Sequence, residues 1–205
     1  DWFILDLLGS TVIFAAVEKL FPLYKGQLIF RKEWQTDMVH FAVNHFIVGL
    51  ALLTVNFAIH RLFGWMASDT IQNAVQSIPF VPQLMLAVLA ADFVQYWTHR
   101  SYHEIPFLWR FHAVHHIDLD LDTTTGLRFH FGELALAAGF RAAQVLLIGV
   151  DEETLRLWQQ MLVVSVVFHH SNLALPADGE ARLNAILVTP RMHGIHHSTR
   201  ADETH

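Results

Sequence analysis

The sequence predicts an all-α fold, an integral membrane bundle of about four to five apolar helices with a histidine-rich helical cap. Hydrophobic residues make up 53% of the 205 residues and charged residues only 16%, a balance typical of membrane proteins. Several apolar segments are long enough to cross a bilayer. Eight of the fifteen histidines lie in clusters with helical spacing. The length fits one domain over residues 1–205.

Five apolar segments are predicted to be helices because each approaches the ~20 residues that a membrane span requires. They are residues 2–23, 38–59, 80–98, 132–150 and 153–170. The third segment is the clearest candidate for a span, with Asp92 as its single charge. The last two form a helical hairpin around Asp151 and Glu152. Because Arg141 lies within the first arm, the sequence fits a shallow or protein-packed hairpin as well as two full membrane spans.

Alternating crossings would bring every histidine cluster to one face of the membrane. That face would hold residues 24–37, 99–131 and 171–205, which also contain most of the lysines and arginines between the apolar segments. The positive-inside rule then assigns this face to the cytoplasm. We therefore expect a multi-pass membrane protein with a cytoplasmic histidine cap.

The polar segments are expected to contain short helices. Pro106 and Pro190 suit the first turn of a helix, where a missing N–H has no cost, and Thr189 is a suitable N-cap. Each of these helices would carry an HxxHH cluster one or two turns later. Residues three and four apart share a helix face, so each cluster can direct its imidazoles toward one point.

The three clusters predict a metal site. They are His99 and His103, then His112, His115 and His116, then His193, His196 and His197. Histidine is the commonest metal ligand among side chains, and eight imidazoles exceed the three or four protein ligands that one zinc ion takes. Two ions are therefore expected. Neutral nitrogen ligands suit iron, zinc, copper or nickel, so ligand type alone does not select the metal.

Composition excludes several other classes. The chain has no cysteine, which excludes disulfides, iron–sulfur clusters and cysteine-ligated zinc. The net charge of −6 and the lack of a basic stripe argue against a nucleic-acid partner. Because the chain begins with Asp1 rather than Met and ends eight residues after His197, we expect that residues are missing at its ends.

The clusters and their flanks resemble those of the fatty acid hydroxylase/sterol desaturase superfamily, whose members are integral membrane non-haem di-iron enzymes. The resemblance covers roughly residues 80–200. It rests on Asp92-Phe-Val-Gln-Tyr-Trp-Thr-His99-Arg100, Leu108-Trp-Arg-Phe-His112-Ala-Val-His115-His116, Thr124-Thr-Gly-Leu-Arg128-Phe-His130 and Thr189-Pro190-Arg-Met-His193-Gly-Ile-His196-His197. Within the superfamily the chain is most similar to bacterial sterol desaturase family proteins.

The resemblance implies an O2-dependent hydroxylase or desaturase that acts on an unactivated C–H bond of a lipid acyl chain or sterol. It implies two iron ions, with zinc as a possible substitute after overexpression. Electrons would come from a separate cytochrome b5- or ferredoxin-type donor, since the chain carries no haem, flavin or iron–sulfur motif. The lipid substrate would enter from the bilayer.

Five further residues are candidates for the site. His170, in Phe168-His-His-Ser-Asn172, matches the family's histidine before Ser and Asn and is predicted to be a ninth ligand. His130 is the next candidate for a further metal ligand. His169 is expected to orient a ligand or to face solvent. Asp92 is expected to orient a ligand imidazole or to make a polar contact within the bundle, and Glu133 to orient a ligand or to act as a negative charge at a helix N-terminus.

Two other functions compete with the hydroxylase. A membrane zinc hydrolase would want an HExxH general base, which the clusters lack. A non-catalytic metal carrier would place its ligands along a path through the membrane, whereas these histidines gather at one predicted face.

Overall fold

The computed structural model describes residues 2–28, 31–118, 120–200 and 203, and within them the chain is helical. The α-helices are α1 (Trp2–Leu20), α2 (Trp34–Phe63), α3 (Asp69–Gln76), α4 (Phe80–Glu104), α5 (Pro106–His116), α6 (Phe131–Ile148), α7 (Glu152–His170), α8 (Ala177–Leu183) and α9 (Pro190–His196). Short 3₁₀ turns cover Gly64–Met66 and Thr123–Leu127. The described residues contain an isolated bridge between Pro22 and Leu173 but no strand, which confirms the all-α prediction.

The chain divides into two compact units. The first unit comprises Asp1–Phe41, Ala113–Phe129 and Gln160–His205, and the second comprises Ala42–His112 and His130–Gln159. The predicted single domain over 1–205 stays a prediction.

Two helices of the second unit, α4 and α6, are long and apolar enough to cross a membrane. Their most apolar windows are only 11% and 6% buried inside the protein, whereas the core helix of a soluble protein is mostly buried. They correspond to the predicted segments 80–98 and 132–150. Helix α7 does not meet the same criterion, because Glu152, Glu153 and Arg156 make its first half polar. The remaining predicted crossings stay predictions.

The second unit contains the turn of the predicted hairpin, with α6 and the first part of α7. Gly149 ends α6 with a φ of 69°, in the left-handed region that favours glycine. The side chains of Gln72 and Gln76 donate to the carbonyls of Leu146 and Gly149 at 2.5 and 2.8 Å, so α3 caps the last turn of α6. Asp151 then accepts from the backbone N–H of Thr154 at 2.7 Å and begins α7.

The core of the first unit lies between α1, α7 and the 3₁₀ turn. Its buried apolar side chains are Leu7, Leu127, Val163 and Val167, with Phe14, Met38 and Phe41 packed against them. Helices α5 and α9 begin at Pro106 and Pro190 as predicted. The Thr189 side chain accepts from the backbone N–H of Met192 at 3.4 Å, which confirms the predicted N-cap.

Candidate metal centre

Four histidines of the first unit converge on one buried point, and we call them the quartet: His115, His170, His193 and His197. Consecutive Nε2 atoms lie 3.0 Å apart between His115 and His170, and 2.9 Å apart between His170 and His193. His197 follows at 3.1 Å from His193. All four are buried, with exposed fractions from 1% to 8%. One ligand atom from each lies within 4.8 Å of the others, a separation that a single metal ion can bridge.

Hydrogen bonds on the far side of two rings indicate which nitrogen carries the proton. Nδ1 of His115 lies 3.0 Å from the carbonyl oxygen of Arg128, and Nδ1 of His170 lies 2.7 Å from that of Val166. A carbonyl can only accept, so each Nδ1 is the protonated nitrogen and each neutral ring presents a lone pair at Nε2. Two such lone pairs 3.0 Å apart repel each other unless a proton or a metal cation lies between them. The donor set therefore fits a metal ion.

His193 is held in the neutral form that metal binding needs. Burial, followed by the neighbouring imidazoles of His170 and His169, lowers the pKa of His193 well below its usual 6.5. Because a protonated imidazole has no lone pair to donate, this shift keeps the ring available to a cation at neutral pH.

The second unit brings together three further cluster members. The rings of His99, His103 and His112 have centroids 4.7 to 5.0 Å apart. Nδ1 of His112 lies 2.9 Å from Oε1 of Glu133, and both side chains are buried. The Glu133 carbonyl accepts from the Tyr102 hydroxyl at 3.4 Å. A carboxylate on Nδ1 directs the other nitrogen of a ligand imidazole toward a metal, which is the orienting role predicted for Glu133.

The last two cluster members, His116 and His196, lie beside the quartet within the first unit. The His116 ring stacks on that of His197 at 4.0 Å and lies 4.8 Å from that of His196. Each HxxHH cluster therefore sends its imidazoles to different places, and the expectation of one shared point per cluster is corrected. Adjacent helical residues point about 100° apart, so His115 and His116 cannot face the same way.

The other candidate residues have different surroundings. His130 caps α6, its Nδ1 accepting from the backbone N–H of Gly132 at 3.0 Å, and its ring stacks on Phe111 at 4.9 Å. His169 packs against His193 at 4.3 Å without joining the quartet. Asp92 is exposed. Whether any of these residues binds or orients a metal stays a prediction.

The sequence reasoning missed a group of buried charges in the first unit. Its members, which we call the charge cluster, are Arg31, Asp37, Asp118, Asp122 and Arg128. Asp118, Asp122 and Arg128 flank the Thr-Thr-Thr-Gly-Leu turn after the second histidine cluster. Their closeness to that turn in sequence is the feature from which the charge cluster could have been predicted. Two more carboxylates are buried and hydrogen-bonded. Glu18 accepts from the backbone N–H of Asn172 at 2.9 Å, and Glu180 accepts from the Thr189 hydroxyl at 3.0 Å.

The chain matches one known protein family and is similar to several known enzymes. The family model for fatty acid hydroxylase matches residues 84–205. Ornithine lipid hydroxylase OlsE of Rhizobium tropici is 27% identical over 208 residues, covering 96% of this chain and 60% of that protein. Alkylglycerol monooxygenases of Homo sapiens and Xenopus tropicalis are 29% and 30% identical over 111 and 112 residues. These alignments cover 54% and 55% of this chain and 24% of each relative. No solved structure gives a significant match.

Proposed function

Since the chain belongs to the fatty acid hydroxylase family, we propose that it is an O2-dependent lipid hydroxylase with a site for two iron ions. The buried quartet carries this proposal, because four buried imidazoles, each with one ring nitrogen within 4.8 Å of the others, form a donor set that suits a metal ion. The names of the relatives, a lipid hydroxylase and two monooxygenases, support a lipid substrate and O2. Because the chain spans 60% of the first relative and 24% of the others, its own substrate is part of the proposal.

We assign the first ion to the quartet, with His170 as the ninth ligand that the sequence predicted. From the sequence clusters, we assign the second ion to the remaining five members: His99, His103, His112, His116 and His196. Iron would supply the activation of O2 for attack on an unactivated C–H bond. Zinc can occupy the same nitrogen ligands when it is more available.

The reaction balances with an external reductant. The C–H bond of the lipid, one O2, two electrons and two protons give a C–OH group and one water. One oxygen atom enters the substrate and the other leaves in the water. The electrons would come from a cytochrome b5- or ferredoxin-type donor. Desaturation is the variant in which two adjacent C–H bonds are lost and both oxygen atoms leave as water.

The residues of the chain would bind the metal ions, orient the ligand imidazoles and shield the site from bulk water. The Arg128 carbonyl and the Glu133 carboxylate fix the rings of His115 and His112. Burial of the quartet keeps bulk water from the reacting centre. The outward-facing apolar surfaces of α4 and α6 support a membrane location in which a lipid reaches the site from the bilayer. A multi-pass topology with the histidines on the cytoplasmic side is part of the proposal.

Lipid analysis under labelled oxygen tests the function. Cells that express the chain are grown under ¹⁸O2, and their lipids are compared with those of cells carrying His115→Ala/His116→Ala or the control His60→Ala. His60 is exposed on α2 and outside the three clusters, so its loss should leave activity unchanged. We expect a lipid product that carries one ¹⁸O atom and depends on the cluster histidines. Product formed without O2, or with oxygen from water, would contradict the proposal and favour a hydrolase. A chain that binds metal without changing any lipid would favour a carrier.

A further inference from the structure

The charge cluster packs five ionisable side chains into the interior of the first unit. Their exposed fractions are at most 4%. With three carboxylates and two guanidinium groups, it has a formal charge of −1. Removing ions from water costs several kcal/mol each, and buried ion pairs often stabilise a fold no better than apolar residues of the same size. A contribution to stability alone is therefore a weak explanation for so many buried charges.

Asp37 links the two guanidinium groups of the charge cluster. Its Oδ1 accepts from Nε of Arg128 at 2.5 Å, and its Oδ2 accepts from Nη2 of Arg31. Arg31 also donates from Nε to Oδ2 of Asp122 at 2.9 Å and from Nη1 to Asp118. Burial disfavours the charged form of Arg31, but the three carboxylates outweigh it and raise the pKa of the guanidinium. Arg31 therefore stays ionised, and its hydrogen bonds to the three carboxylates hold the segments that carry them together.

These ion pairs hold the backbone segment that follows the second histidine cluster. Asp122 caps the 3₁₀ turn, its side chain accepting from the backbone N–H of Thr124 at 2.8 Å. Asp118 accepts from the Thr125 hydroxyl at 3.0 Å. Arg128 ends the turn. Asp37, at the start of α2, contacts this segment through Arg128 and Thr124.

The same segment lies beside two members of the quartet. The carbonyl of Arg128 accepts from Nδ1 of His115 at 3.0 Å. Gly126 faces the ring of His170, since a Cβ added there would lie at an ordinary van der Waals distance, 3.4 Å, from Nδ1 of that ring. The position of the turn therefore determines the orientation of His115 and bounds the space beside His170.

We propose that the charge cluster positions the quartet for metal binding, with Asp37 as the positioning residue that links the turn to α2. This inference rests on the proposed function only in requiring that the quartet binds a metal ion. The cluster acts through the carbonyl of Arg128 and the backbone at Gly126, and none of its side chains is a ligand. Loss of Asp37 should therefore change the affinity and ligand geometry of the quartet while all four imidazoles remain.

Titration with Co²⁺ tests the proposal, because its visible bands report ligand geometry. The full chain is used in a His99→Ala/His103→Ala background, which leaves the quartet unchanged. We expect Asp37→Asn to weaken Co²⁺ binding by about 10- to 100-fold, the usual effect of losing a contact behind the ligands, and to change the visible spectrum. Thr125→Val removes the hydroxyl that donates to Asp118 at 3.0 Å and accepts from Nη2 of Arg31 at 3.1 Å and from the backbone N–H of Asp122 at 3.2 Å. It should also weaken Co²⁺ binding, and it decides the test if Asp37→Asn does not fold.

The control is Gln83→Leu in the second unit. Gln83 is fully buried and accepts from the backbone N–H of Asp151 at 2.8 Å, so its loss lowers stability without touching the quartet. The proposal is overturned if Asp37→Asn, or Thr125→Val in its place, keeps the parent affinity and spectrum. It is also overturned if Gln83→Leu weakens binding equally. If the parent protein itself takes up no Co²⁺, the proposed function fails instead.

Discussion

Replacing Glu133 is expected to weaken metal binding at His112. The two side chains are 5% and 1% exposed, and Oε1 of Glu133 accepts from Nδ1 of His112 at 2.9 Å. This contact selects the tautomer in which Nε2 of His112 presents a lone pair. Without the carboxylate, the proton can move to Nε2 and the ring can rotate. Glu133→Ala should therefore remove an imidazole from the metal site without changing a histidine.

The magnitude follows from the geometry of the pair. A buried N–H left without an acceptor costs about 1–3 kcal/mol. Loss of a group that supports a ligand lowers metal affinity by about 10–100-fold, or about 1.4–2.7 kcal/mol. The two figures describe the same lost contact and should not be added. Glu133→Gln keeps an acceptor oxygen near His112 and should lose less affinity than Glu133→Ala.

The assay is competition between the protein and a chelator, followed by metal analysis of the retained ions. Glu133 also lies in the first turn of α6, where a negative charge stabilises the helix by about 0.3–1 kcal/mol. Glu152→Ala is the matched control, because Glu152 is an exposed acid in the first turn of α7. If Glu133→Ala kept the original affinity, or if Glu152→Ala lost as much, the reasoning about His112 would be refuted.

Three further predictions concern other parts of the molecule. His170→Ala should lose one of the two ions, as measured by metal analysis, whereas His169→Ala should keep both; the opposite result would reverse the assignment. Gly149→Ala should lower the free energy of unfolding by about 1–2 kcal/mol, since φ is 69°, while Gly179→Ala, with nothing within 4 Å of its added Cβ, should not. The pKa of His193 is depressed in the folded, metal-free protein, so just below pH 6.5 its imidazole takes up a proton only when the chain is unfolded. The free energy of unfolding should therefore fall by up to ~1.4 kcal/mol per pH unit as the pH drops from 6.5 toward the folded pKa, and denaturant titrations at several pH values would refute this if they showed no slope.

Local signals predicted much of the helical framework. Proline at Pro106 and Pro190 identified where α5 and α9 begin, because proline fits the first turn and little else in a helix. The hydroxyl before Pro190 identified the N-cap at Thr189. The charged pair at Asp151 and Glu152 located the turn of the hairpin. Each of these features depends on a few neighbouring residues, so the sequence alone was sufficient.

The division of the histidines between groups depends on contacts that are distant in sequence. His115 meets His170, which is 55 residues away, and this pairing follows from how α5 and α7 pack within the first unit. Two of the partners of Asp37, Thr124 and Arg128, lie 87 and 91 residues away in sequence, so no spacing pattern could identify them. His130 was the next candidate ligand after His170; in the structure its Nδ1 caps α6, and its binding of a metal stays a prediction. A residue type and a spacing limit the possible roles, but the fold selects the partner.

The three histidines with assigned tautomers donate to acceptors in three different places, a carbonyl of the same helix, a carbonyl of a turn and a side-chain carboxylate, so the effect of substitutions on their orientation should differ. His170 donates to the carbonyl of Val166 in its own helix, so its orientation requires only that α7 forms. His115 donates to the Arg128 carbonyl in a turn held by the charge cluster, so distant side chains can disturb it. His112 donates to the Glu133 carboxylate, so a single substitution can release it. Changes that leave every histidine in place should therefore affect His112 most directly, His115 indirectly through the turn, and His170 least.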